Sequence, residues 1–160
     1  MNLEATELTM LDGSKRSMSE FAGQVLMVVN VASKCGLTPQ YEALEELQKK
    51  YAGRGFTVLG VPSDSFKQEL KSESDIAEYC SMTWGITFPM TQKASVVGPR
   101  KHELYKTLTK TKDRMGLAGP VMWNFEKFLI LPSGEIHRFR PTVKPDAPEI
   151  IELIEANLPN

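Results

Sequence analysis

Val25-Leu26-Met27-Val28-Val29-Asn30-Val31, running straight into Ala32-Ser33-Lys34-Cys35-Gly36-Leu37-Thr38-Pro39, is the stretch that decides the fold. Six of its first seven residues are apolar and four are valine, the pattern of a β-strand covered on both faces. Thr38-Pro39 reads as a helix start, a hydroxyl cap followed by proline at the first helical position. Tyr41, Leu44, Leu47 and Tyr51 then recur at helical spacing until Gly53 and Gly55 stop the helix. Cys35 therefore falls in the turn between a buried strand and a helix.

Working outward, residues 56–61 (FTVLGV) form a second buried strand, which Pro62 ends. Residues 63–72 are polar and loop-like, and 75–83 make a helix with Ile76, Tyr79 and Cys80 on one face. Residues 90–97 read as a short strand, 101–108 as a helix and 109–120 as a basic loop containing glycine. Residues 127–131 and 135–139 flank Pro132-Ser133-Gly134 as an antiparallel hairpin, and 146–158 close the chain as an amphipathic helix with Pro148 in its first turn. Upstream, residues 4–11 and 14–17 form a hairpin about Asp12-Gly13. This alternation of strands and helices demands an α/β architecture, a central sheet with helices on both faces. No repeat, low-complexity tract or linker divides it, so residues 1–160 are expected to be one domain.

Composition excludes several classes of function. A formal net charge of −1 creates no field to gather nucleic acid or an anionic membrane. The longest apolar run, residues 25–29, is far too short to span a bilayer. Residues 1–10 carry two glutamates and no basic residue, unlike a secretory leader, so a cytoplasmic location is expected. Cys35 and Cys80 lie 45 positions apart without CxxC spacing, and the histidines, His102 and His137, are scattered. Neither a metal site nor another cofactor is expected from that set. A bond between the two cysteines would be transient and catalytic in a reducing compartment.

Cys35 stands where a thiolate would be stabilised. Unpaired N–H groups of the loop and the positive end of the following helix can point at its sulfur, with Lys34 adjacent. A buried structural cysteine is the competing reading of the position taken alone.

The surrounding residues separate the two. Residues 30–41 read NVASKCGLTPQY, which closely resembles the signature around the peroxidatic cysteine of glutathione peroxidases. LGVPSDSF (59–66), TFPM (87–90) and WNFEKFL (123–129) resemble further blocks of that family, in the same order and over nearly the whole chain. The resemblance implies a thioredoxin-like fold and a thiol peroxidase that reduces hydrogen peroxide and organic or lipid hydroperoxides through a sulfenic acid. It places cysteine at position 35, where many members carry selenocysteine, and the neutral donors of the family's site on Trp123 and Asn124. Their N–H groups can hold a thiolate and orient the peroxide.

Where the family usually reads PCNQF this chain has Pro62-Ser63-Asp64-Ser65-Phe66. The catalytic glutamine accordingly falls on Ser65, a shorter donor, with Gln68 three residues on as the alternative. Cys80 falls on the helix where thioredoxin-using members carry a resolving cysteine, although counting back from the FP dipeptide puts it one residue off the pattern of some. Its apolar helix face also fits a core filler. The resemblance implies thioredoxin or glutathione as reductant, and the short 109–121 loop implies a monomer. The rival function is a low-turnover redox sensor that uses the Cys35/Cys80 pair as a switch. Thiol–disulfide exchange lacks its second thiol in Cys35-Gly36-Leu37-Thr38.

Overall fold

A computed structural model describes residues 3–159. Strand β1 (Glu7–Thr9) pairs antiparallel with β2 (Lys15–Ser17) in a small hairpin. The main sheet has four strands: β3 (Val25–Val31), β4 (Phe56–Pro62), β5 (Lys127–Ile130) and β6 (Ile136–Phe139). Their spatial order is β4-β3-β5-β6, with β3–β4 parallel and the other two pairings antiparallel. Helix α1 (Gln40–Tyr51) is the crossover between the parallel strands. Helices α2 (Glu73–Tyr79), α3 (Glu103–Leu108) and α4 (Pro148–Asn157) follow. The expected thioredoxin-like sheet and N-terminal hairpin are both present.

Strand β3 is buried at all seven positions because both faces are covered. Val25, Met27, Val29 and Val31 pack into one cluster with Tyr41, Leu44 and Leu47 of α1 and Ile150 and Ile154 of α4. Leu26 and Val28 point the other way, into a cluster with Leu104, Tyr105 and Leu108 of α3 and with Leu8 and Phe21. Burying each such side chain contributes roughly 1.5–3 kcal/mol. This double packing fixes the C-terminal end of β3, and therefore the loop that carries Cys35.

Three local expectations need correction. Residues 90–97 form no strand; Met90 and Thr91 make only isolated bridges to Gly60 and Met10. Thr38 does not cap α1, which begins at Gln40 behind Pro39. The helix expected over 75–83 is α2 followed by a π-turn, Cys80–Trp84, closed by Gly85 in the left-handed region at φ 63°. A π-turn takes up one extra residue within a helix. The turn lies in the interval between Cys80 and Phe88-Pro89, over which Cys80 counts one place off.

Candidate active site

Cys35 lies at the end of β3 in a loop that closes on itself through Thr38. The Thr38 hydroxyl donates to the Ala32 carbonyl at 2.9 Å and accepts the Cys35 N–H at 3.0 Å. The sulfur accepts the Leu37 N–H at 3.4 Å. The threonine read as a helix cap is the clasp of the cysteine loop, which explains why α1 starts later. Cys35 is buried, with 6% of its surface exposed, and belongs to the core cluster beneath α1.

Asn30, the one polar residue of β3, brings the second segment in. Its side chain donates to the Trp123 carbonyl at 3.1 Å and accepts the Glu126 N–H at 3.1 Å, while its own carbonyl accepts the Phe125 N–H at 2.6 Å. Trp123 and Asn124 are thus tied to the strand that leads into Cys35. Phe125 holds φ at 65°, a left-handed conformation that costs a non-glycine residue on the order of 1–3 kcal/mol and persists only where its surroundings impose it. Asn124 is fully buried, and Trp123, 38% exposed, leans on the Phe66 ring with centroids 5.3 Å apart.

The third segment contributes Gln68. Its carbonyl oxygen Oε1 accepts the Asn124 amide at 3.2 Å, and its main-chain carbonyl accepts the Lys34 N–H at 2.8 Å. With Oε1 so occupied, the NH₂ of Gln68 is left as a donor. Lys67 just before it has φ 59°, a second left-handed non-glycine residue beside the site. Ser65, where the glutamine was expected, is turned into its own loop. Its Oγ accepts from the Ser63 hydroxyl at 2.9 Å and from the Val96 N–H at 3.1 Å, and makes no bond to Cys35 among the described residues.

An indole, two carboxamides and a thiol are thus carried on three segments tied together at the end of β3. Residues 3–109 match the glutathione peroxidase family model. The chain is 43% identical to the thioredoxin/glutathione peroxidase BtuE of Escherichia coli, with 92% of each protein covered. The chain belongs to the glutathione peroxidase family. The peroxidase is also 41% identical to a hydroperoxy fatty acid reductase of Synechocystis, over 85% of each chain. Among solved structures it is similar to T. cruzi GPX1 at a TM-score of 0.73 and 31% identity, covering 96% of this chain and 93% of that one. A thioredoxin family protein of Chlorobium tepidum, 21% identical with a TM-score of 0.65 over 96% of this chain and 97% of its own, shares the fold. The protein is accordingly an oxidoreductase that reduces peroxides with a thiol.

Cys80 is the peroxidase's other free cysteine, and it is buried in the same core cluster as Cys35 and Tyr41. Its thiol donates to the Tyr41 hydroxyl at 3.5 Å. Burial pushes the Cys80 pKa up to about 11, and the charge of Glu69 adds to that rise. A cleft of about 710 Å³ between the β1–β2 hairpin and α2 opens onto Cys80 and not onto Cys35. Among the described residues no group of His, Cys, Asp and Glu gathers that could hold a metal ion, and no helix is long and apolar enough to cross a membrane.

Three buried charged residues that sequence reasoning passed over anchor the start of β5, next to Trp123 and Asn124, to its surroundings. Glu126 is buried against Arg138, whose guanidinium also donates to the carbonyls of Thr109, Thr111 and Pro120 and so holds the 109–120 loop to the sheet. Lys127, fully buried, donates to the Pro141 carbonyl at 2.9 Å and to that of Val143. The signal for all three was charge inside the apolar WNFEKFL and IHRF runs.

Burial drives the Lys127 ammonium down from 10.5 to about 7, against the opposing pull of Glu126. Between those values the unfolded chain binds a proton that the folded chain does not. The cost of burying Lys127 is therefore full below pH 7, fades as pH rises and vanishes above about 10.5. Cys80 works with the opposite sign, but only from about pH 9 upward. Urea unfolding at pH 7 and at pH 9 checks this. The wild type should gain more stability over that interval than Lys127→Met; equal gains would mean that Lys127 does not titrate there.

Proposed function

We propose that Cys35 is the peroxidatic sulfur and that Trp123, Asn124 and Gln68 are the donors around it. The observation that carries the reading is the Gln68–Asn124 bond, with both residues tied to the Cys35 loop through Lys34 and Asn30. The Cys35 thiolate attacks one peroxide oxygen, the O–O bond breaks, and the other oxygen leaves as water or alcohol after taking up a proton. The sulfur is left as a sulfenic acid. Neutral N–H donors suit this step because they stabilise the anion at each stage without forming an ion pair that must later be broken. Ser65 supports the Ser63–Val96 side of its loop in place of the donor role expected for it. With a glutamine present at position 68, the feature that favoured a low-turnover sensor falls away.

Cys80 resolves the sulfenic acid as a disulfide, which thioredoxin reduces, with glutathione the weaker donor. The name of the E. coli relative supports both reductants. The place of Cys80, buried as the first residue of the π-turn that follows the short helix α2, supports resolution by local unwinding, since two sulfurs bond only when their Cα atoms come within about 7 Å. The substrates are hydrogen peroxide and organic or lipid hydroperoxides. Met122, 68% exposed beside Trp123, offers apolar surface for the bulkier ones, and the name of the Synechocystis relative agrees. The enzyme works as a cytoplasmic monomer of one domain; the hold of Arg138 on its own 109–120 loop supports the monomeric part of that reading.

Coupled peroxide consumption with thioredoxin and its reductase, run beside the same assay with glutathione, tests the cycle. Cys80→Ser should lose about tenfold in thioredoxin-linked turnover, roughly 1.4 kcal/mol of barrier. It should keep the first, stoichiometric reaction with peroxide. Normal turnover of that variant with thioredoxin would reduce Cys80 to core filler.

A further inference from the structure

Glu69 follows Gln68 and is 5% exposed, the one buried residue between Asp64 and Leu70. A carboxyl group in such a place is costly unless it is hydrogen-bonded. One oxygen, Oε1, accepts the Ser33 N–H at 3.1 Å and the Leu70 N–H at 2.8 Å. The other, Oε2, has no hydrogen-bond partner among the described residues. Ser33 and Lys34 are the last two residues before Cys35, and the pairing of β3 with β4 stops at Val31 and Pro62. Past that point two consecutive N–H groups go to two consecutive residues. Ser33 is taken by the Glu69 side chain and Lys34 by the Gln68 main-chain carbonyl at 2.8 Å. The Cys35 N–H then goes to Thr38. Glu69 thus supplies, with a side-chain oxygen, a bond that the sheet no longer makes.

The turn that carries Glu69 is fixed from its other end. Asp64 accepts the Lys67 N–H at its main-chain carbonyl, 2.9 Å, and the Glu69 N–H at its carboxylate, 3.3 Å, across the left-handed Lys67. Gln68 lies between these two fixed points, with its own Oε1 on the Asn124 amide at 3.2 Å. We infer that Glu69 is a positioning residue for the reaction: it holds the 64–70 turn against the strand end that leads into Cys35, and so sets the Gln68 carboxamide on Asn124. This rests on the reading of Gln68 as a donor to the Cys35 sulfur.

Glu69 makes no hydrogen bond to Cys35, Trp123 or Asn124 among the described residues, so its effect on the chemistry runs through Gln68. The role calls for an acceptor oxygen and not for a charge. Both partners of Oε1 are main-chain N–H groups, and no cation pairs with the carboxylate among the described residues. Glu69→Gln keeps an oxygen for Ser33 and Leu70, whereas Glu69→Met fills a similar volume without an acceptor.

The test measures the single-turnover rate of Cys35 oxidation by hydrogen peroxide between pH 5 and 9. Wild type is compared with Glu69→Gln, Glu69→Met, Gln68→Ala and the double variant Glu69→Met/Gln68→Ala. Glu69→Gln should stay within about twofold of wild type, with the same pH profile. Glu69→Met should be slower by about tenfold or more, because a donor that is present but misplaced loses its effect. Its profile should also move to higher pH, since a thiolate that loses a donor is harder to form. In the double variant the loss from Glu69→Met should almost vanish, leaving the rate of Gln68→Ala alone. Losses that multiply instead would give Glu69 a role apart from Gln68 and overturn the inference. A tenfold loss in Glu69→Gln overturns it too, even if Glu69→Met does not fold. A slow Gln68→Ala beside an unimpaired Glu69→Met sinks the positioning role and leaves the donor reading intact. If Gln68→Ala reacts like wild type, the donor reading fails and takes this role with it.

Discussion

Cys35→Ser is expected to end peroxide reduction while leaving the protein folded. The sulfur accepts one long hydrogen bond, from the Leu37 N–H at 3.4 Å, and a serine oxygen can accept the same bond. The Thr38 clasp, which shapes the loop, uses the Cys35 N–H and the Ala32 carbonyl and does not involve the side chain. The cost in stability should therefore stay within about 1 kcal/mol. The chemistry has no such reserve. A serine hydroxyl is un-ionised at neutral pH and a poor nucleophile toward peroxide oxygen. The expected loss exceeds a thousandfold, about 4 kcal/mol of barrier. Single-turnover peroxide consumption, with a melting curve to establish the fold, checks both halves. Residual activity above a tenth of wild type would move the reaction to another group.

Asn124→Ala should be nearly as severe. On the proposed reading it removes a donor to the sulfur, and it also removes the bond that fixes Gln68, leaving that carboxamide to rotate. Loss of one preorganised donor to a developing anion costs about a hundredfold, roughly 2.7 kcal/mol. Ser65→Ala should cost less than about threefold in the same reaction, because the Ser65 oxygen is occupied by Ser63 and Val96. The rate of Cys35 oxidation, followed by tryptophan fluorescence on rapid mixing, measures both. A large loss in Ser65→Ala with little in Asn124→Ala would exchange their roles.

On the proposed reading, the contrast between Ser65 and Gln68 marks where the sequence ceased to be readable. Counting along PSDSF assumes that the loop runs in the family's register. The left-handed turn at Lys67 instead presents the residue after it to Asn124, and no local propensity announces that conformation for a lysine. Thr38 misled for a related reason. One hydroxyl can cap a helix or clasp a loop, and the residue pattern is the same for both. The strands β3 and β4 and the hairpin β5–β6 were legible because burial on both faces and a Pro-Ser-Gly turn leave plain local marks. Residues 90–97 carry strand-like residues but pair only at isolated bridges, since pairing depends on distant partners. Asn30 was visible as the lone polar residue of an apolar strand. Its purpose emerged only when residues 123–126, more than ninety positions away, were seen to bind it.

The central claim is that peroxide oxidises Cys35 and no other residue, and trapping the product tests it most directly. Cys80→Ser protein, in which the sulfenic acid has no intramolecular thiol to meet, is given one equivalent of hydrogen peroxide in the presence of a dione probe for sulfenic acids and then digested for mass spectrometry. The account predicts a single adduct, on the Cys35 peptide, close to stoichiometric with the peroxide consumed. Peroxide consumed without an adduct at Cys35 would contradict it.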